Sequence, residues 1–158
     1  MRFALKVCKY GSVAIVTKKE KLESGTNYAQ GGIASVLGDD DSFDLHIADT
    51  ITVGDGLSHQ QVVESVVTDG PSRINELVEL GVKFSKGKSK KGSLYDLGRE
   101  GGHSRRRILH AQDLTGREVE MILARQVESR QNVRIYEDFF AINLITEAKV
   151  KGKNRDGD

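Results

Sequence analysis

Two stretches of this chain bring together residue types that can do chemistry. The first, SGTNYAQGGI at 24–33, follows an apolar run, VAIVTKK, that reads as a strand. It holds three glycines, two hydroxyls (Ser24 and Thr26) and two amides, and only Tyr28, Ala29 and Ile33 suit burial. Glycine lets backbone N–H groups press against a phosphate or the edge of a cofactor ring, because no Cβ stands in the way. Thr26 and Asn27 add side-chain donors. An ordinary solvent loop has the same composition, so both readings stand at this point. The second stretch, GREGGHSRRR at 98–107, sets one carboxylate, Glu100, before two glycines, His103, Ser104 and three arginines. Guanidinium forks match carboxylates in shape and charge, and Gly101 and Gly102 allow a close backbone approach. Glu100 is also placed to pair with Arg99 or Arg105 as a plain loop glutamate. His110 reads as a packed or surface histidine.

The elements that must position these stretches follow from periodicity. Residues 2–10 read as a helix stopped by Gly11. Residues 13–17, β-branched and apolar, read as a buried strand. Phe43, Ile47 and Ile51 recur at helical spacing behind Asp41 or Ser42. Ser58 is placed to cap a third helix carrying Val62, Val63, Val66 and Val67. Gly70-Pro71 should break it, with Pro71 opening a fourth that carries Ile74, Leu77 and Val78 inward to Gly81. Val82 to Phe84 reads as a short strand, and the Lys-rich run KGKSKKG at 86–92 as a solvated loop. The turn DLTG at 113–116 reads as capping chemistry, with Thr115 capping a helix whose inner face is Val119, Ile122, Leu123 and Val127. Residues 133–136 and 141–146 read as strands. Strands alternating with helices predict an α/β domain with a mainly parallel sheet.

The bulk numbers exclude several classes. A chain of 158 residues suits one domain. Lysine plus arginine is 24 against 23 for aspartate plus glutamate, so net charge gives no push toward nucleic acid or a membrane surface. The basic residues cluster only locally, at 86–92, 105–107 and in KVKGKNR. No run of about 18 apolar residues exists to span a bilayer, and the start is too short and polar for a signal peptide. The single cysteine precludes an intrachain disulfide and suits a reducing, cytoplasmic location. Cys8 shares a helical stripe with Ala4 beside Phe3, Val7 and Tyr10, which predicts a buried thiol. The four histidines show no metal-ligand spacing.

Both ends of the pattern look open. The chain begins in a helix with no strand and turn before it, and ends on NRDGD at 154–158, a hairpin signal with no second strand. The expectation is a piece of a longer protein. In a dinucleotide-binding βαβ unit, ligands sit beyond the carboxyl ends of the strands, where the 24–33 ribbon begins.

VAIVTKKEKLESGTNYAQGGIASV and LYDLGREGGHSRRRILHAQDLTGREVE, about seventy residues apart, resemble two segments of the succinate dehydrogenase and fumarate reductase flavoprotein family, within it the L-aspartate oxidases. The resemblance runs along essentially the whole chain. It implies an incomplete Rossmann-like FAD-binding domain over 1–158, with 35–110 a helix and loop region leading to the substrate side. It implies that Lys18, Gly25, Thr26, Asn27, Tyr28, Ala29, Gln30, Gly31 and Gly32 contact FAD. Lys18 stands where an acidic residue usually accepts from ribose hydroxyls in NAD-type folds; a lysine can donate to them or approach phosphate. The membrane-bound relatives carry a histidine bonded covalently to the flavin at the position of Gly25, so the cofactor here should be held non-covalently. The dicarboxylate enzymes usually carry an apolar residue at Glu100. An α-ammonium group needs an anionic partner, and such a charge-assisted bond contributes about 1.5–3 kcal/mol, so the resemblance implies that Glu100 orients L-aspartate.

The implied reaction is hydride transfer from L-aspartate to flavin, giving iminoaspartate, with dioxygen or fumarate reoxidising the flavin. Iminoaspartate would pass to quinolinate synthase on the route to NAD. A soluble fumarate reductase or succinate dehydrogenase-like flavoprotein, and a non-catalytic interaction module, are the alternatives. No GxGxxG occurs in the chain, and the family's arginine acid/base and carboxylate-gripping residues have no counterpart in it. The purified 158-residue chain is therefore expected to carry no stoichiometric flavin by absorbance and to leave L-aspartate unoxidised.

Overall fold

A computed structural model describes residues 1–87, 93–111 and 114–147. The elements run α1 (Arg2–Val7) with a 3-10 turn (Cys8–Tyr10), β1 (Val13–Val16), β2 (Ile33–Ala34), α2 (Phe43–Val53), α3 (Gln60–Leu80), β3 (Leu97–Gly98), β4 (Ile108–Leu109), α4 (Thr115–Glu128) and β5 (Val133–Tyr136). β1 and β5 pair in parallel with Val13 opposite Val133 and Val16 opposite Tyr136. A second sheet, antiparallel in the order β2-β4-β3, was not foreseen. Its strands are two residues long, too short for alternation to register in sequence. The α/β class with parallel strand pairing is as expected.

Local chemistry explains the helix ends. Ser42 caps α2, its Oγ accepting from the Leu45 N–H at 3.2 Å. α3 ends on Gly81 at φ 111°, with Gly81 N–H to Val78 O and Val82 N–H to Leu77 O, the paired bonds of a left-handed helix stop.

Several expectations are corrected. Gly70-Pro71 does not break the helix: α3 runs 21 residues through it and starts at Gln60, with His59 rather than Ser58 preceding it. Val67 and Ile74, seven residues apart and both buried, hold the two halves on one side of the same helix. Gly70 lies against Ser35, which leaves room for only a small residue. Thr115 is the first residue of α4, preceded by Leu114, and its Oγ1 accepts from the Ala111 N–H at 3.1 Å. Val82 and Phe84 are buried without forming a strand; backbone pairing begins only after them, where Ser85 N–H donates to His110 O, Asp96 N–H donates to Ser85 O and Lys86 bridges Tyr95. Residues 141–146 form no strand, and Ile142, Leu144 and Ile145 are exposed. β1 is half-buried only on alternate residues, Val13 and Ile15, while Ala14 and Val16 are exposed; α1 packs beside it. Cys8 is half-buried, and Phe3 and Tyr10 beside it are exposed. Most of the run at 86–92, Asp113 and the turn at 154–158 lie outside the described residues.

The core gathers Ile74, Val82, Phe84, Leu97, Leu109, Ala111 and Val119, so α3, α4 and the antiparallel sheet share one interior. Arg2 and Lys6 of α1 both pair with Glu76 of α3. No helix among the described residues is long and apolar enough to cross a membrane. Ile74 is 1% exposed and Val66 66%. Ile74→Ala should lower the unfolding free energy by about 2–5 kcal/mol and Val66→Ala by less than about 0.5 kcal/mol, as read by urea denaturation.

Candidate functional site

The ribbon leaves β1 and turns twice: Asn27 N–H bonds Ser24 O and Ala29 N–H bonds Thr26 O, each at 3.1 Å. Ser24 Oγ accepts from Thr26 N–H at 3.1 Å and donates to Glu120 Oε1 at 2.5 Å. One turn earlier on α4, Gly116 N–H donates to Ala29 O at 3.1 Å. A Cβ at Gly116 would stand 1.8 Å from Thr26 O, so the ribbon lies directly on the helix backbone. At the ribbon's other end, a Cβ on Gly32 would stand 2.2 Å from Leu109 O and 2.4 Å from Ile108 Cγ2. The two glycines let α4 and β4 clamp the ribbon between them.

Within the clamp, the exposed residues are Gly25, Thr26, Tyr28, Ala29, Gln30, Gly31 and Gly32, with Asn27 half-buried. Gly25 has open space around it. Tyr28 donates to Glu23 Oε2 at 2.8 Å, and that bond raises its pKa above the ordinary value. Lys18 is exposed and lies over the Phe140 ring at 5.6 Å, where the chain beyond β5 folds back and Phe139 N–H bonds Thr17 O. Lys18 stands two residues beyond the end of β1.

The second stretch lies on α2. Asp49 Oδ2 accepts from Ser104 N–H at 2.7 Å, Ser104 Oγ at 2.8 Å and Arg107 Nη1 at 2.8 Å. Arg107 is fully buried and also forks onto Asp41, with contacts of 2.9 and 2.8 Å. A Cβ at Gly102, whose φ is +84°, would stand 2.5 Å from Val53 Cγ2. Asp49 and Val53, one turn apart, therefore grip the 100–104 turn, which closes with His103 N–H on Glu100 O at 3.2 Å.

This arrangement divides the predicted residues. Arg107 is held by two carboxylates and fully buried, out of reach of a ligand at the surface. Arg105 and Arg106 are exposed and donate to Asp40 O and Leu97 O. Together with Arg99 and Ser104 they line an open recess of about 400 Å³. Glu100 is exposed and makes no ion pair with Arg99 or Arg105. Its Oε1 lies 3.3 Å from where a Cβ of Gly31 would be. The fold thus sets the candidate acid against the glycine ribbon, across nearly seventy residues of sequence. Asp41, Asp49, Gly116 and Glu120 were missed. Gly116 carried a signal, as a glycine inside a strong helical pattern; the carboxylates read as ordinary helix-start or surface acids.

His46 and His103 stack edge to face at 5.9 Å, each with a buried Nδ1 that has no partner among the described residues. Burial, the Arg107 charge and His103 hold the His46 imidazole below its ordinary 6.5. Burial alone would raise Asp49, but the Ser104 backbone and hydroxyl and Arg107 hold it below its ordinary value.

Residues 1–155 match the protein-family model described as FAD binding domain. L-aspartate oxidase 2-b, chloroplastic, of Nicotiana tabacum is 49% identical over 146 residues, 92% of this chain and 22% of that protein. L-aspartate oxidase of Vibrio cholerae is 38% identical over 154 residues, 96% of this chain and 29% of its own length. The structure superposes on a variant of the E. coli quinol fumarate reductase with a TM-score of 0.77 at 27% identity, covering 85% of this chain and 23% of that one. The chain therefore spans between a fifth and a third of the length of these curated relatives.

The buried histidine gives a signed pH dependence. Because the folded state disfavours His46 protonation, the unfolded chain binds more protons just below pH 6.5. Stability should be full above that value and fall as pH drops through it toward the lowered folded pKa. His46→Leu should flatten this slope, while the separate loss from Asp49, below its ordinary 3.8, stays in place; denaturation at stepped pH checks both.

Proposed function

The chain belongs to the FAD binding domain family, and from that membership we propose that it supplies part of the cofactor and substrate site of an FAD-dependent L-aspartate oxidase. The observation that carries this reading is the approach of Glu100 to Gly31. A flat ring laid on the ribbon would meet an anionic oxygen at its edge, where an amino-acid substrate needs one. The residues fit the cofactor: the ribbon exposes glycine backbone on its outer side, and Gly25 has open space around it.

In this reading, Gly25, Thr26, Asn27, Tyr28, Ala29, Gln30, Gly31 and Gly32 hold FAD through backbone and side-chain donors. Lys18, at the mouth of β1, offers a cation to the phosphate or ribose part. When bound, FAD supplies the acceptor for the hydride that leaves the α-carbon of L-aspartate, yielding iminoaspartate. Glu100 orients the substrate by accepting from its α-ammonium group, which fixes the α-carbon against the ring. Asp49, Ser104 and Gly102 hold the Glu100 turn on α2 so that this contact needs no rearrangement. Gly25 offers no nucleophile or ring nitrogen, so the cofactor is held non-covalently. Dioxygen or fumarate is the acceptor, and quinolinate synthase the consumer of the product. The lone cysteine favours a cytoplasmic setting, although the Nicotiana relative is named as chloroplastic.

The likeness to the quinol fumarate reductase supports a second reading, a dicarboxylate flavoenzyme acting on succinate or fumarate. One comparison separates the two. In the full-length protein carrying this segment, Glu100→Gln should reduce kcat/KM for L-aspartate roughly 10- to 150-fold, the loss of a charge-assisted bond of about 1.5–3 kcal/mol. Bound flavin, released intact by acid precipitation, should be unchanged. Undiminished aspartate oxidation by the variant would overturn the role of Glu100, and turnover of succinate with aspartate inert would select the second reading.

A further inference from the structure

α4 holds the ribbon at two points on one face, Gly116 and Glu120, four residues and one helical turn apart. The Gly116 contact is backbone to backbone. The Glu120 contact is different in kind. Its side chain is 5% exposed, and Oε1 receives the Ser24 hydroxyl at 2.5 Å, within the range of charge-assisted O–H···O bonds. Its other oxygen, Oε2, is buried with no partner among the described residues. A buried carboxylate oxygen without a partner is destabilising, so packing alone would favour an apolar residue at this position. The acid earns its place only through what Oε1 does.

We infer that Glu120 is a positioning residue that fixes the cofactor ribbon through Ser24. By accepting the hydroxyl's hydrogen bond, Glu120 orients the lone pairs of Ser24 Oγ toward the Thr26 N–H, which Oγ accepts at 3.1 Å. The same turn is closed by Asn27 N–H on Ser24 O and Ala29 N–H on Thr26 O. A cavity of about 260 Å³ lies alongside, lined by Thr17, Ser24, Thr26 and Glu120. Close packing therefore does not secure residues 24–26 from that side, and the Ser24–Glu120 bond does. Glu120 reaches the cofactor through this chain of contacts and holds the 25–29 backbone in one shape before anything binds. That removes an ordering cost from binding. The inference rests on the reading of the ribbon as an FAD contact, but the bond itself can be examined without FAD.

The test uses the full-length protein carrying this segment, with amide hydrogen exchange on the apo form and FAD titration on the same samples. Glu120→Leu should speed exchange at Thr26 and Asn27 and raise the FAD Kd about tenfold, a change of roughly 1.4 kcal/mol. Glu120→Gln keeps an oxygen acceptor and should restore most of both. Ser24→Ala, a small deletion that leaves the helix untouched, should reproduce Glu120→Leu, and the double variant should be no worse than either single one. Wild-type exchange and affinity in Glu120→Leu and Ser24→Ala would overturn the inference, as would losses that multiply in the double variant. A wild-type protein that binds no FAD would instead overturn the cofactor reading, while faster exchange at Thr26 in the variants would still uphold the Ser24–Glu120 bond.

Discussion

The constraint on which the rest depends is the absence of two Cβ atoms. Thr26 O sits where the Cβ of residue 116 would be, and Leu109 O sits where that of residue 32 would be. These contacts let a polar, irregular ribbon pass between the first turn of α4 and the backbone of β4. Here the helix and strand impose their geometry on the ribbon, so backbone groups that can serve a cofactor are presented by rigid elements rather than by the loop itself.

A different device supports the second half of the site. Arg107 is fully buried, which is tolerable only because Asp41 and Asp49 together satisfy the guanidinium. That pairing draws the entry to α2 and its middle turn against β4, the strand that also clamps the ribbon. Asp49 then uses the same oxygen to hold Ser104, which orders the turn bearing Glu100. One buried cation thereby links the helix under the acid to the strand under the ribbon. The arginine that looked suited to a substrate carboxylate is spent on architecture, and the acid near it is left at the surface with no ion pair among the described residues.

α3 shows how packing overrides a local signal. Gly70-Pro71 is a strong breaker in isolation, since proline lacks an N–H and crowds the preceding turn. The helix continues because Val67 and Ile74 are both buried on the same side of it, and because Gly70 must stay small against Ser35. Burying both halves outweighs the lost hydrogen bond. The Val82–Phe84 segment shows the reverse. Its β-branched and aromatic residues are buried as their composition demands, but the antiparallel backbone contacts with 94–96 begin only at Ser85.

What the amino-acid order determined by itself is whatever depends on near neighbours along the chain. That covers the helix started by Ser42, the stop at Gly81, the β1 and β5 runs, and the glycine ribbon with its family likeness. It also covers Glu100 as an acid in a distinctive setting. Only the tertiary structure decided which of these meet. The antiparallel sheet, with strands two residues long, has too short a pattern to read. The roles of Asp41, Asp49 and Glu120 depend on partners 55 to 96 residues distant. The contact of Glu100 with Gly31 and the withdrawal of Arg107 into the interior are likewise long-range. Periodicity reports which face of an element is buried, while a site is made by faces from separate elements closing on one another.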